Sequence, residues 1–216
     1  MKRFEIQTTE DGSLTIYDTL FNETFHSKYG ARSESEYVFI EQGLKKFLDV
    51  SEINILEIGF GTGMNTLLTL LNKPIEQKIY YEAIELFPLQ QELVELYSES
   101  LPEKELYLKL MKAKWDEEQA ITPNFILFKR NENITKLTYN KNFNLIYFDA
   151  FSPKTQPELW SVEVFEQIYK HSHPGSAIVT YASSGVVKQN LRNAGFIVER
   201  LPGPPHKHHM VRGYKI

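Results

Sequence analysis

The chain contains no cysteine, which excludes disulfide bridges and thiolate metal sites. No apolar run approaches the roughly 20 residues needed to span a bilayer. The opening Met1-Lys2-Arg3-Phe4-Glu5 turns polar at once, unlike a secretory leader. No internal repeat and no low-complexity linker breaks the chain. Together these absences predict a cytoplasmic protein that uses neither membrane nor metal.

What is present has an ordinary globular balance, with 42% hydrophobic and 24% charged residues. A length of 216 residues suits one large α/β domain with a substantial core. The formal net charge of −4 argues against a nucleic-acid partner, but its distribution argues otherwise. Tyr181 to Ile216 carries six Lys/Arg against the single acid Glu199, whereas Glu82 to Glu118 carries four Lys against ten Asp/Glu. Such a split suits a molecule with one basic working face, although a chance scatter of solvated charges has the same look.

Phe4–Gln7 and Leu14–Tyr17 predict a hairpin, and Tyr37, Ile40, Leu44, Phe47 and Leu48 recur at helical spacing. From Asn54 onward strands and helices alternate. Strands are expected at Asn54–Ile58, Lys78–Ile84, Phe125–Lys129, Leu145–Phe148, Ala177–Tyr181 and Ile197–Glu199. Helices are expected at Met64–Leu71, Pro88–Tyr97, Pro157–Tyr169 and Gly185–Ala194. Alternation of this kind predicts a doubly wound, mostly parallel α/β sheet. His209–Tyr214, reached without an intervening helix, predicts an antiparallel last strand. Glu103–Thr122 reads as helical decoration. The expected organisation is a single domain over 1–216, with 1–50 as hairpin and helix lead-in and 51–216 as Rossmann-like core.

The first core strand runs into Glu57-Ile58-Gly59-Phe60-Gly61-Thr62-Gly63 and then a helix, a turn that lets backbone approach a ligand at a helix N-terminus. The dinucleotide fingerprint is GxGxxG, whereas here the third glycine comes one residue early and Met64 takes the next place. That spacing suits a ligand with no pyrophosphate to seat. The second core strand ends at Glu85, whose carboxylate can accept hydrogen bonds from both hydroxyls of a ribose. On these residues the chain resembles the class I S-adenosylmethionine-dependent methyltransferases. The resemblance implies that Glu57 lies beside the methionine part of the cofactor, that Gly59, Phe60, Gly61 and Gly63 line it, and that Glu85 takes its ribose. Asn133 stands where such enzymes hold the adenine amino group.

The fourth core strand ends Asp149-Ala150-Phe151-Ser152-Pro153-Lys154. Open α/β sheets bind ligands outside the carboxyl ends of their strands, which brings this loop to the reactive end of the cofactor. Asp149 is the candidate catalytic residue and a cofactor neighbour, and Phe151, Pro153 and Lys154 are candidates for the acceptor pocket. Asp149 could also serve merely as a turn residue.

The whole of Asp149 to Trp160, the segment Ala182–Phe196, the closing Gly203–Met210 and the lead-in Ser33–Phe39 resemble the methyltransferase domain of the MnmC family, from about Tyr17 onward. The resemblance implies methylation of the amine of 5-aminomethyl-(2-thio)uridine at the tRNA wobble position, with Lys207 and Met210 near the substrate. It also implies a free-standing form without the FAD-dependent oxidase domain, paired with a separate enzyme that supplies the aminomethyl intermediate. Here Lys207-His208-His209-Met210 departs from the family's Lys-Arg-Glu-Met.

Two other readings compete. A polyamine aminopropyltransferase shares the fold and also alkylates an amine, but is expected to carry a carboxylate-rich pocket, against which Lys154 and the basic C-terminal third speak. A non-catalytic nucleic-acid-binding module would not need Glu57, Glu85 and Asp149. His206, His208 and His209 lack a register that would converge on a metal. Lys154, Lys188, Arg192, Lys207 and Arg212 are the expected phosphate contacts, and Met210, Phe25 and Tyr29 are possible pocket lining.

Overall fold

The computed structural model describes residues 3–10, 12–25 and 30–216; Tyr29 lies outside them. The chain opens with a small antiparallel sheet of β1 (Phe4–Thr8), β2 (Leu14–Asp18) and β3 (Glu23–Thr24). The expected hairpin is thus present, extended by a third short strand.

A helical lead-in follows, but not as one regular helix. α1 (Ala31–Ser35) passes into a π-wound turn at Glu36–Glu41 and then a 3₁₀ turn at Leu44–Phe47. Val38, Phe39 and Ile40 are buried in succession, and a widened turn shifts the register so that three neighbouring side chains reach the core.

The core then alternates: β4 (Glu52–Ile58), α2 (Met64–Asn72), β5 (Lys78–Ile84), α3 (Gln91–Ser98), α4 (Lys104–Lys112), β6 (Glu118–Thr122) and β7 (Phe125–Arg130). After it come β8 (Phe143–Phe148), α5 (Val162–Lys170), β9 (Ser172–Thr180), α6 (Gly185–Asn193), β10 (Ile197–Pro202) and β11 (His209–Tyr214). Eight strands form one sheet in the order β10-β11-β9-β8-β4-β5-β7-β6. The five inner strands β9, β8, β4, β5 and β7 pair in parallel. β11 inserts antiparallel between β9 and β10, as the last strand was expected to run. The fold is therefore the mostly parallel α/β sheet anticipated.

Two local expectations need correction. Glu103–Thr122 holds α4 but also β6, an antiparallel edge strand on β7. Only Ile121 of its five residues is buried, so no alternating apolar pattern announced it. The Pro157–Tyr169 helix is broken: Pro157–Trp160 is a 3₁₀ turn, and α5 starts afresh where the Ser161 hydroxyl accepts from the Val164 amide.

Alternation along β4 divides the core. Ile53 and Ile55 pack on one face with Leu67, Leu68, Tyr81 and Tyr147, while Leu56 and Ile58 pack on the other with Ile146, Phe148 and Phe165. Burial on both faces explains why these strands read as near-continuous apolar runs. Phe4 and Ile16 of the small sheet join the first cluster. β4 has β5 on one side and β8 on the other, so the chain's path reverses at the carboxyl ends of β4 and β8, and a crevice opens there. Among the described residues no helix is long and apolar enough to cross a membrane.

Candidate active site

The crevice holds a cavity of about 270 Å³. Its floor is the loop from β4 to α2. Gly59, at φ +87°, packs so closely on the end of β8 that a Cβ there would sit 2.5 Å from the Asp149 carbonyl oxygen. Its amide and that of Phe60 donate to the Ile84 carbonyl, binding the loop to the end of β5. A Cβ on Gly61 would press on the Phe25 ring at 2.8 Å. Side chains at these two positions would force the loop off the end of β8 and off Phe25.

Glu85 closes one end. One of its carboxylate oxygens accepts from the Gly61 amide at 3.1 Å and the other from the Phe87 amide at 2.8 Å. Burial raises its carboxyl above the ordinary range, against those two donors. The remaining lone pairs face the cavity Glu85 lines.

The opposite end is built on Asn65, in the first turn of α2. Its Nδ2 donates to Glu57 Oε1 at 2.9 Å and to Asp149 Oδ2 at 2.8 Å, joining the ends of β4 and β8. Thr66 Oγ1 donates to the other Glu57 oxygen at 3.0 Å. Glu57 has no exposed surface, and burial pushes its carboxyl up to about 8. Burial likewise holds Asp149 well above the usual carboxylate range; the Asn65 hydrogen bond opposes this, Glu34 and Glu57 reinforce it, and Lys207 opposes it. Asn65 Oδ1 is buried and accepts no hydrogen bond. Such an oxygen, beside a cavity, awaits a donor that the protein does not supply.

The third wall comes from the ends of the chain. Glu23 of β3 accepts from the Ser152 amide at 3.1 Å, from Ser152 Oγ at 3.0 Å and from Thr155 Oγ1, so the small sheet grips the loop after β8. The Phe151 ring lies 5.2 Å from Phe21 and 5.1 Å from Phe25. Lys207, from the β10–β11 loop, pairs with Glu34 of α1 and lies 4.3 Å over the Tyr181 ring.

Of the expected site residues, Phe25, Gly59, Phe60, Gly61, Glu85, Asn133, Asp149, Phe151 and Lys207 line the cavity. Glu57, Gly63, Pro153, Lys154 and Met210 do not. Glu57 lies beneath Asn65 and reaches the cavity only through it. Gly63 supplies the left-handed residue that precedes α2. Pro153 and Lys154 fall outside the lining, and Lys154 is exposed. Met210 is wholly buried in the core, packing rather than facing a ligand. Asn133 lines the cavity, yet its Oδ1 already accepts from the Thr135 amide and hydroxyl at 3.0 and 2.9 Å. Its side chain therefore has donors to offer a ligand, not the acceptor anticipated.

The basic face also changes. Arg212 is buried, donating to Glu199 at 2.9 Å and to the Gln42 carbonyl at 3.2 Å, which removes it from any phosphate-contact set. His208 and His209 rings stand 6.3 Å apart, and among the described residues no group of His, Asp or Glu is arranged to hold a metal. Among the described residues that line the cavity acids outnumber bases, with Asp18, Glu23, Glu34, Glu85, Glu132, Asp149 and Glu158 against Arg3 and Lys207. The carboxylate-rich pocket thought to be missing is therefore present.

Asn65, Glu23 and Glu34 were not identified as site residues from sequence. The first had a signal, a polar Asn65-Thr66 pair opening an otherwise apolar helix eight residues after Glu57. Glu23 meets its partners across 129 residues of chain and had none.

A glycine cradle, a carboxylate at the end of the second core strand and a buried carboxamide with a free oxygen define a nucleoside-binding transferase of Rossmann-like α/β class. A family model described as S-adenosyl-L-methionine-dependent methyltransferase matches residues 90–216, and the chain belongs to that family. It is 27% identical over 218 residues to the tRNA 5-methylaminomethyl-2-thiouridine biosynthesis bifunctional protein MnmC of Nitrosospira multiformis, covering 92% of this chain and 35% of that protein. The chain thus spans about a third of the curated relatives it matches. The crystal structure of MNMC2 from Aquifex aeolicus superposes with a TM-score of 0.83 at 26% identity, over 99% of this chain and 71% of that one. Spermidine synthase from Thermotoga maritima shares the fold, at TM-score 0.59 and 14% identity over 98% of this chain and 68% of that one.

S-adenosylmethionine is the cofactor of this family, and the residues present fit it. Glu85 offers acceptors for the ribose hydroxyls, Asn65 Oδ1 offers one for the methionine ammonium, and the Gly59–Gly61 backbone leaves room between them.

Proposed function

We propose that the protein transfers a methyl group from S-adenosylmethionine to the amine of 5-aminomethyl-(2-thio)uridine at the tRNA wobble position. The observation that carries this reading is Asp149. It is a carboxylate at the crevice, held by Asn65 and kept well above the usual carboxylate range by burial. A group so poised takes a proton from an ammonium more readily than an ordinary aspartate does. The tRNA substrate is carried over from the names of the relatives, such as the Nitrosospira protein. We read residues 1–216 as one methyltransferase unit, working in the cytoplasm on an aminomethyl intermediate that another activity supplies.

When bound, S-adenosylmethionine supplies a methyl group on a sulfonium: the amine lone pair forms the new C–N bond, the S–C bond breaks with its electron pair to sulfur, and nitrogen must shed a proton. Asp149 accepts an N–H hydrogen bond that orients the lone pair, and its charge offsets the positive charge growing on nitrogen. The proton leaves the ammonium before attack, to Asp149 Oδ1 or Oδ2 and on to water beyond it, so that the carboxylate is charged again when the methyl transfers. Asn65 fixes the carboxylate at 2.8 Å, so it cannot swing away. Phe21, Phe25 and Phe151 offer ring faces against which an unstacked anticodon base can lie.

Single-turnover methylation of aminomethyl-containing tRNA, read by nucleoside mass spectrometry, is the test. Asp149→Asn should slow the chemical step by about 10²–10⁴-fold with cofactor affinity nearly unchanged. Methylation by this variant at the wild-type rate refutes the role. The excess of acids in the cavity favours a second reading, aminopropyl transfer to a small polyamine. That reading requires incubation with spermidine or putrescine and decarboxylated S-adenosylmethionine to yield an aminopropylated product and tRNA to gain no methyl group.

A further inference from the structure

Lys207 and Glu34 come from opposite ends of the chain, 173 residues apart, and meet in the cavity beside Asp149. Their pairing is odd as a stabilising device. Lys207 sits on a loop, and its side chain is 32% exposed, while the carboxylate it meets is only 12% exposed. The ammonium also rests 4.3 Å over the Tyr181 ring, whose hydroxyl donates to the Ala150 carbonyl in the loop after β8. Glu34 and Lys207 both lie close enough to Asp149 to act on its charge, in opposite senses. Nearby Asn65 Oδ1, in a residue only 3% exposed, accepts no hydrogen bond. An alkyl ammonium, that of Lys207, is thus already paired with a carboxylate in the cavity that Asp149 lines.

We propose that Lys207 is a placeholder for the substrate ammonium, and that Glu34 is the residue that recognises it. The incoming aminomethyl group takes the Glu34 carboxylate, and Lys207 is released toward the polynucleotide. Glu34 holds one N–H while Asp149 holds another, which leaves the lone pair of the deprotonated amine pointing away from both carboxylates. A substrate without the amine cannot displace Lys207 and leaves the pair closed. An acceptor whose amine already bears a carboxymethyl group would bring a carboxylate against Glu34 and Asp149 and be rejected by like charge. This rests on the tRNA amine reading above.

The test compares two anticodon stem-loops that differ only in the wobble residue, 5-aminomethyluridine or uridine. Binding is measured by fluorescence anisotropy without cofactor, and the methylation of the aminomethyl loop is followed separately. Wild type should prefer the aminomethyl loop by at least about tenfold, the worth of a hydrogen bond to a charged group. Glu34→Gln should lose that preference while retaining S-adenosylmethionine affinity, which reports its folding. Lys207→Met should keep or enlarge the preference, because the incoming ammonium then has no lysine to displace, even if both loops bind less tightly. A Glu34→Gln protein that discriminates as wild type does overturns the inference. So does a Lys207→Met protein that loses discrimination, which would make the lysine the reader, and this arm decides the matter should Glu34→Gln fail to fold. If wild type methylates the aminomethyl loop yet Glu34→Gln discriminates normally, only this inference falls. If wild type neither prefers nor methylates that loop, the substrate reading falls with it.

Discussion

Replacing Glu57 by glutamine should flatten the pH dependence of stability of the cofactor-free protein. Glu57 is fully buried, and its carboxyl is raised from an ordinary value near 4.5 to about 8. A carboxyl raised in the folded state binds its proton more tightly than in the unfolded chain. Its contribution is therefore complete below pH 4.5 and is lost as pH rises through 8. Each pH unit inside that window costs about 1.36 kcal/mol, so from pH 5.5 to 7.5 the group withdraws about 3 kcal/mol. For a chain of this length that is roughly 5–10 °C in melting temperature.

Glutamine fits the same place with little penalty. Its oxygen can accept from Asn65 Nδ2, as Glu57 Oε1 does, and its amide can face Thr66, whose hydroxyl turns from donor to acceptor. Asp149 titrates in both proteins but loses the reinforcement Glu57 gives it, so the difference between the two melting curves reads Glu57 together with its coupling to Asp149. Differential scanning calorimetry across pH 5.5–8 measures it. Curves that run parallel would mean that Glu57 stays ionised in its buried site, with the Asn65 and Thr66 donors outweighing burial.

Glu85→Ala should weaken S-adenosylmethionine by about 1.5–3 kcal/mol, the worth of hydrogen bonds to a charged group; calorimetry showing unchanged affinity refutes the ribose role. Glu23→Ala removes the acceptor for Ser152 and Thr155 and should cut kcat about tenfold or more through a misplaced Asp149 loop, with cofactor affinity intact. If kcat holds, the grip of the small sheet is dispensable. Lys154→Glu with Arg192→Glu, two exposed positions, should lower tRNA affinity and flatten its salt dependence by about one unit of slope per lost contact. An unchanged slope would place the footprint elsewhere.

The sheet was legible because parallel strands buried on both faces are apolar throughout, and β5 was found at its true ends, Lys78 and Ile84. β6 was not, because an edge strand such as Glu118–Thr122 needs only one buried side chain. The cofactor side was legible for a related reason. Its parts, Gly59, Gly61, Glu85 and Asp149, sit at strand ends, where chain order and space agree. Asn133 lines the cavity but its oxygen is engaged by Thr135, a local cap that depends on a turn geometry that residue identity does not disclose. Met210 was misjudged because β11 lies inside the sheet, between β10 and β9, and is buried from Met210 to Gly213, which its mixed sequence does not announce.

The acceptor side obeys a different logic. Phe21, Glu23 and Phe25 come from the small sheet, Glu34 from α1 and Lys207 from the β10–β11 loop. None belongs to the repeating strand–helix units, and each meets its partner across more than a hundred residues. A sheet that binds the same nucleoside in many enzymes does not choose among acceptors; the segments packed over its open end do. The transferable half of this site is therefore the half the strands carry. What distinguishes a tRNA amine from a free polyamine must lie in the two chain ends that close over Asp149. Substitutions there should change which acceptor is used while leaving S-adenosylmethionine binding alone, and substitutions at Glu85 or Gly59 should do the reverse.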